Sequence, residues 1–140
     1  MSTYNKVIEK NKKDWNHYSE KWSAFNHSEK ILRPILEDPS KAFHRKTWKM
    51  IQKYIPDFTG KRVCVPSSGD NLAVFAFALL GATVTSCDIS ENQLAHAKKV
   101  ADREGLGDVI EFICADTMKL EGIRDNEYDL VYTSNGVHVW

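Results

Sequence analysis

Two acids in this sequence stand where a nucleoside could be gripped. Asp88 closes the run Thr83 to Asp88, "TVTSCD", nineteen positions beyond Gly69. That is close to the spacing at which an acid accepts from ribose hydroxyls in nucleotide-binding folds. A carboxylate offers two acceptor oxygens and can take both hydroxyls of a ribose at once. The same acid lies just before Ser90, which opens a helix, so it serves equally well as a helix N-terminal acid favoured by the macrodipole. Spacing alone leaves both readings open. Asp116 holds the corresponding place after the run Val109 to Cys114, "VIEFIC".

The turn Pro66-Ser67-Ser68-Gly69-Asp70-Asn71 narrows the ligand. A dinucleotide pyrophosphate needs backbone amides at very close range, hence the pattern G-x-G-x-x-G. Here the matching stretch runs from Ser67 to Leu72 and keeps only the middle glycine, Gly69. A nicotinamide or flavin dinucleotide is therefore disfavoured, and a nucleoside ligand without phosphates suits the bulkier turn. Asn71 is a stand-in for glycine, because Asn tolerates positive φ better than most residues. After the last strand, "SNGVHVW" offers Asn135 and His138 as groups that could approach a reacting atom. A general base must come within hydrogen-bond reach of the proton it takes. The sequence shows no Ser-His-Asp set, no catalytic cysteine context and no cluster of metal ligands.

These residues need elements to hold them. Arg62 to Val65 reads as a buried strand, followed by the turn and an apolar helix, Leu72 to Leu80, that Gly81 ends. Thr83 to Asp88 is the second strand. Ser90 caps a helix with Gln93 three residues on, a capping box, and Gly105 ends it. Val109 to Cys114 and Tyr128 to Thr133 complete four strands. Short apolar strands with helices between them predict an α/β fold with a mostly parallel sheet, covered by helices on both faces. Before Thr59-Gly60 the pattern is helical. Trp15, Tyr18, Trp22 and Phe25 form one stripe, which reads as packing, with a lid over the site as the alternative. A further helix is expected from Asp38-Pro39, with Phe43, Trp48, Ile51 and Ile55 on its apolar face and Pro56 as its stop. The domain reading is thus a helical segment, 1–58, and a sheet segment, 59–140.

Composition sets the outer limits. The chain has 140 residues, enough for one core, with 19 basic and 19 acidic side chains and zero net charge. Nothing in that balance points to nucleic acid. No run reaches the apolar length of a membrane span, and the N-terminus lacks a signal core, so a cytoplasmic, soluble protein is expected. Cys64, Cys87 and Cys114 lie in separate strands and read as reduced, buried cysteines. His17, His27, His44 and His96 read as surface residues.

In order, "VCVPSSGDN", "VTSCDIS", the helix motif Ser90 to Ala97, "ICAD" and "YDLV" resemble the class I S-adenosylmethionine-dependent methyltransferases. The resemblance covers Lys61 to Trp140. It implies a Rossmann-like fold, S-adenosyl-L-methionine as cofactor, and methyl transfer to a small-molecule acceptor. It further implies that Ser67, Gly69 and Asn71 line the methionine part, Asp88 holds the ribose, and Ile89 packs on the adenine. Asp116 would accept from the adenine amino group with Thr117 beside it, and Asn135 would start the loop where cofactor and acceptor meet. The stretch "WNHYSEKW" resembles the N-terminal lid of many small-molecule methyltransferases, with Tyr18 as its cofactor contact. Two departures stand out: Val65 replaces the acid usual before the loop, and the loop's outer glycines are Ser67 and Asn71. That family's sheet has seven strands against four here, so the chain reads as the cofactor-binding portion of a truncated enzyme. A homodimer covering the open sheet edge is the less favoured solution. A cofactor-binding module without catalysis is the alternative function, and a dinucleotide oxidoreductase fragment ranks last.

Overall fold

The computed structural model describes residues 1–134. Four strands form one parallel sheet: β1 (Arg62–Pro66), β2 (Thr83–Asp88), β3 (Ile110–Cys114) and β4 (Leu130–Val131). Their order is β3-β2-β1-β4, so the chain steps outward twice on one side of β1 and then crosses to the other. Val63, Cys64 and Val65 of β1 are all buried, as are Val84 to Asp88 of β2. Both faces of the central strands are therefore covered, which parallel strands require. The result is the expected Rossmann-like α/β arrangement, preceded by helices.

Helix α4 (Ala73–Leu79) links β1 to β2, and its residues Ala73 to Ala78 are buried all round. A helix apolar on every side belongs inside. Helix α5 (Glu91–Arg103) is amphipathic and buries Leu94, Ala97, Val100 and Ala101. The Ser90 hydroxyl accepts from the Gln93 amide at 3.2 Å, so the expected cap forms.

The N-terminal segment departs from expectation. Helix α1 (Thr3–Asn26) is followed by α2 (Glu29–Glu37), a 3-10 turn (Pro39–Ala42) and α3 (Arg45–Tyr54). Asp38 does cap at Pro39, accepting from the Ser40 amide at 3.1 Å. What it opens is a single 3-10 turn, because Phe43 returns to extended backbone before α3 begins. Helix α2 is not among the elements expected from the sequence, and it carries Pro34 inside it. Proline removes one backbone donor, and the helix persists by burying Leu32 and Ile35.

Phe77 of α4 ties this segment to the sheet. Its ring meets Phe43 at 5.0 Å, Phe58 at 5.2 Å and Tyr132 at 5.4 Å. The aromatic stripe of α1, by contrast, does not pack in the core. Tyr18, Trp22 and Phe25 are 50%, 46% and 62% exposed.

The sheet edges explain two further corrections. Only two residues pair in β4, although backbone bonds from Asp129 to Arg62 and from Tyr132 to Cys64 extend the contact. Cys64 and Cys87 are free and buried as expected, but Cys114 is exposed because β3 is an edge strand. No helix among the described residues is long and apolar enough to cross a membrane.

Candidate functional site

In an open parallel sheet the strands' carboxyl ends and the turns after them form a crevice beside the point where strand order reverses. Here that point lies between β1 and β4. The turn after β1 is fixed from beneath by a ladder of buried hydroxyls. Ser86 donates to Ser68 at 2.8 Å, and the Ser68 amide and hydroxyl both donate to the Cys87 carbonyl, at 3.0 and 3.2 Å. Neither Ser68 nor Ser86 was singled out from the sequence, although a serine inside an apolar strand is itself a signal.

Two residues of the turn adopt left-handed backbone, Ser67 at φ 52° and Gly69 at φ 51°. Gly69 suits its position, because a Cβ there would meet Gln93 Oε1 at 2.2 Å. Ser67 has no such freedom, and this conformation costs a non-glycine residue about 1–2 kcal/mol. Its hydroxyl lies 2.7 Å from that of Thr117 in the loop after β3, which brings two expected site residues together.

Asn71 corrects the sequence reading, since it is not among the positive-φ residues. It works through its amide group instead. Oδ1 accepts from the Ala73 amide at 3.0 Å and so helps start α4, while Nδ2 donates to Ser134 at 2.8 Å.

Asp88 is the centre of the crevice. It is 8% exposed. Its Oδ2 accepts from the Gly69 amide and its Oδ1 from the Ser90 amide, at 2.8 and 2.9 Å. It steadies the start of α5, as the helix-terminal reading expects, and its other oxygen grips the turn. Burial pushes its carboxyl above the usual carboxylate range, against the pull of the Ser90 and Gly69 amides toward the charged form. Each oxygen keeps a second lone pair for another donor. Ile89 follows, half-buried, and its carbonyl accepts from the Cys114 thiol at 3.6 Å.

Asp116 takes the Met118 amide on Oδ1 at 2.9 Å and the Tyr4 hydroxyl on Oδ2. Helix α1 is bound to the turn after β1, the start of α5 and the loop after β3 by residues the sequence reading missed. Tyr4 reaches the loop after β3, Asn16 accepts from Ser90 at 2.6 Å, and Asn26 donates to Asp70 at 2.9 Å. These contacts join residues 44 to 112 positions apart, so no local pattern announces them.

Tyr18 stands on the exposed side of α1, edge-on to His17 at 5.0 Å. With Trp15, Trp22 and Phe25 it lines an open groove of about 700 Å³. His27, expected at the surface, is tucked between Ser23 and Phe75, and its Nε2 is buried without a partner. Asn135 and His138 lie outside the described residues. Among the described residues no group of three or more His, Cys, Asp or Glu side chains could hold a metal.

The donor set fits an adenosyl group. Two carboxylates at the ends of β2 and β3 can receive hydroxyl and amino donors, and a hydroxyl-lined turn faces them.

Comparisons with known proteins bear on the family and the fold. The family described as "methyltransferase domain" matches residues 66–140, more than half of the chain. A sterol 24-C-methyltransferase of Gibberella zeae is 42% identical over 52 residues, 37% of this chain and 13% of that protein. Among solved structures, a Methanococcus maripaludis protein assigned as an S-adenosyl-L-methionine-dependent methyltransferase superposes with a TM-score of 0.68 at 20% identity. The match covers 89% of this chain and 52% of that one, so this chain spans about half the length of that relative. A Salinibacter ruber RNA methyltransferase, solved with S-adenosyl-L-homocysteine, gives a TM-score of 0.52 at 22% identity, covering 65% of this chain and 58% of that one. At these identities the solved structures speak for the fold.

Proposed function

Because this chain belongs to the methyltransferase domain family, we propose that it binds S-adenosyl-L-methionine across the ends of β1, β2 and β3 and directs its methyl group to a small-molecule nucleophile. When bound, the cofactor supplies an activated methyl on a sulfonium: the acceptor's lone pair forms the new bond while the carbon–sulfur pair stays on sulfur. The chain's own residues bind and orient. Asp88 accepts from the ribose hydroxyls through the lone pairs its two amide partners leave free. Asp116 accepts from the adenine amino group, with Ile89 against the ring. The turn Ser67 to Asn71 borders the methionine part, where the left-handed backbone at Ser67 and Gly69 shapes the loop. Such positioning supplies a large share of the rate of a displacement reaction. A proton lost from the acceptor calls for a base, and His138, which follows β4 in the sequence, is the candidate.

The observation that carries the reading is Asp88: a buried acid at the end of β2, locked to both the Gly69 turn and the start of α5. Calorimetric titration with S-adenosyl-L-homocysteine tests it. Asp88→Ala is expected to weaken binding by at least about 1 kcal/mol, the worth of hydrogen bonds to a charged acceptor. Unchanged affinity in a folded variant removes the ribose assignment. Transfer of a labelled methyl to candidate acceptors separates catalysis from binding alone.

A further inference from the structure

Tyr4 occupies the carboxylate that the adenine is assigned to. Its hydroxyl donates to Asp116 Oδ2, and the Lys119 ammonium lies over its ring, 5.4 Å from the centroid. Asp116 Oδ1 also accepts from the Met118 amide. A phenol and an adenine present this acid with a shared feature: a flat aromatic ring whose edge carries a polar donor, one O–H in the phenol and an amino group in the adenine. A second flat ring aimed at the same Oδ2 would have to share space with the phenol, so the two compete for that oxygen.

We propose that Tyr4 is an internal placeholder for the nucleobase, and that cofactor binding expels it and releases the first turn of α1 from the loop after β3. The proposal rests on the reading in which Asp116 receives the adenine. The attachment of α1 is graded in a way that suits such a release. Its middle is held by Asn16, which accepts from both Ser90 and Asn92, and its far end by Asn26 on Asp70. Its first turn is held by Tyr4 alone among the hydrogen bonds described from that turn to the sheet segment. Residues Thr3 to Val7 are all exposed, so their separation from the body uncovers little apolar surface. Asp116 thus has two states, one closed by Tyr4 and one open to the ligand. The apparent dissociation constant is the intrinsic one divided by the open fraction.

Removing the phenol oxygen tests this directly. Tyr4→Phe keeps the ring and loses the competing donor, so it should bind S-adenosyl-L-homocysteine roughly three- to tenfold more tightly than the unaltered chain, in line with one hydrogen bond to a charged acceptor on an exposed residue. In the unaltered chain, hydrogen exchange at the amides of residues 5–9 should accelerate when S-adenosyl-L-homocysteine is added. That measurement stands whether or not the variant folds. Equal or weaker binding by a folded Tyr4→Phe chain, or unchanged exchange in a chain that binds, overturns the placeholder and leaves the cofactor reading in place. Binding by neither chain overturns both.

Discussion

Ser67 shows how a single residue can be read for two opposing effects. It holds φ 52°, which favours glycine, while its hydroxyl spans to Thr117 at 2.7 Å. Substitution separates the two. Ser67→Ala keeps the strain and loses the bond, whereas Ser67→Gly loses the bond and relieves the strain. The glycine variant should therefore be more stable than the alanine variant by about 1 kcal/mol, the left-handed penalty of a Cβ. Urea denaturation of the pair reads that difference directly, and equal midpoints would mean that the turn relaxes around the alanine. At this scale the sequence was informative where chemistry is local. The position of Asp88 after β2 and its spacing from Gly69 were both legible. Asn71 was not, because the choice between a backbone role and a side-chain role depends on Ser134, 63 positions away.

Among the elements, α1 carries a pH signal at its C-terminal end. His27 follows its last residue, with Nδ1 3.0 Å from the Ser23 hydroxyl and its ring edge-on to Phe75 at 5.6 Å. Burial holds its pKa below the usual 6.5; Asp70 opposes that shift, while His96 and Arg103 add to it. The unfolded chain then takes up a proton before the folded one as pH falls. Stability from this site is full above pH 6.5 and declines as the pH drops below it. His27→Gln should flatten that decline, so the urea midpoints of the two chains should converge between pH 7.5 and 5.5. Parallel curves would place the pH dependence elsewhere. Element boundaries were legible where capping is local: β2 and the start of α5 fell where the sequence put them. They failed where tertiary burial overrode a local signal, as with Pro34 inside α2, and where pairing decided the limit, as with the short β4.

At the scale of the whole molecule, Phe77 is the joint between the N-terminal helices and the sheet. It is fully buried and touches two rings from before the sheet, Phe43 and Phe58, and one from beyond β4, Tyr132. Phe77→Ala should cost about 3–5 kcal/mol through lost burial and the cavity left behind. Unfolding followed by circular dichroism and by tryptophan fluorescence should still coincide in one transition. Two separated transitions would show that residues 1–58 and the sheet segment melt as independent units. The fold class was legible from the alternation of short strands and helices, while the strand order was not, because periodicity records which faces are buried and not which neighbour covers an edge. That order also governs how the chain can reach its folded form. Among the described residues all three strand pairings are parallel, so no hairpin there can start the sheet. β1 meets β2 only across a crossover that contains α4, and it meets β4 only across a separation of more than sixty residues. Closing loops costs entropy before pairing returns anything, and sheets built this way assemble slowly. One flank of β1 thus stays bare through most of the search, and the aromatic cluster around Phe77, to which Tyr132 belongs, cannot be completed until the last strand docks.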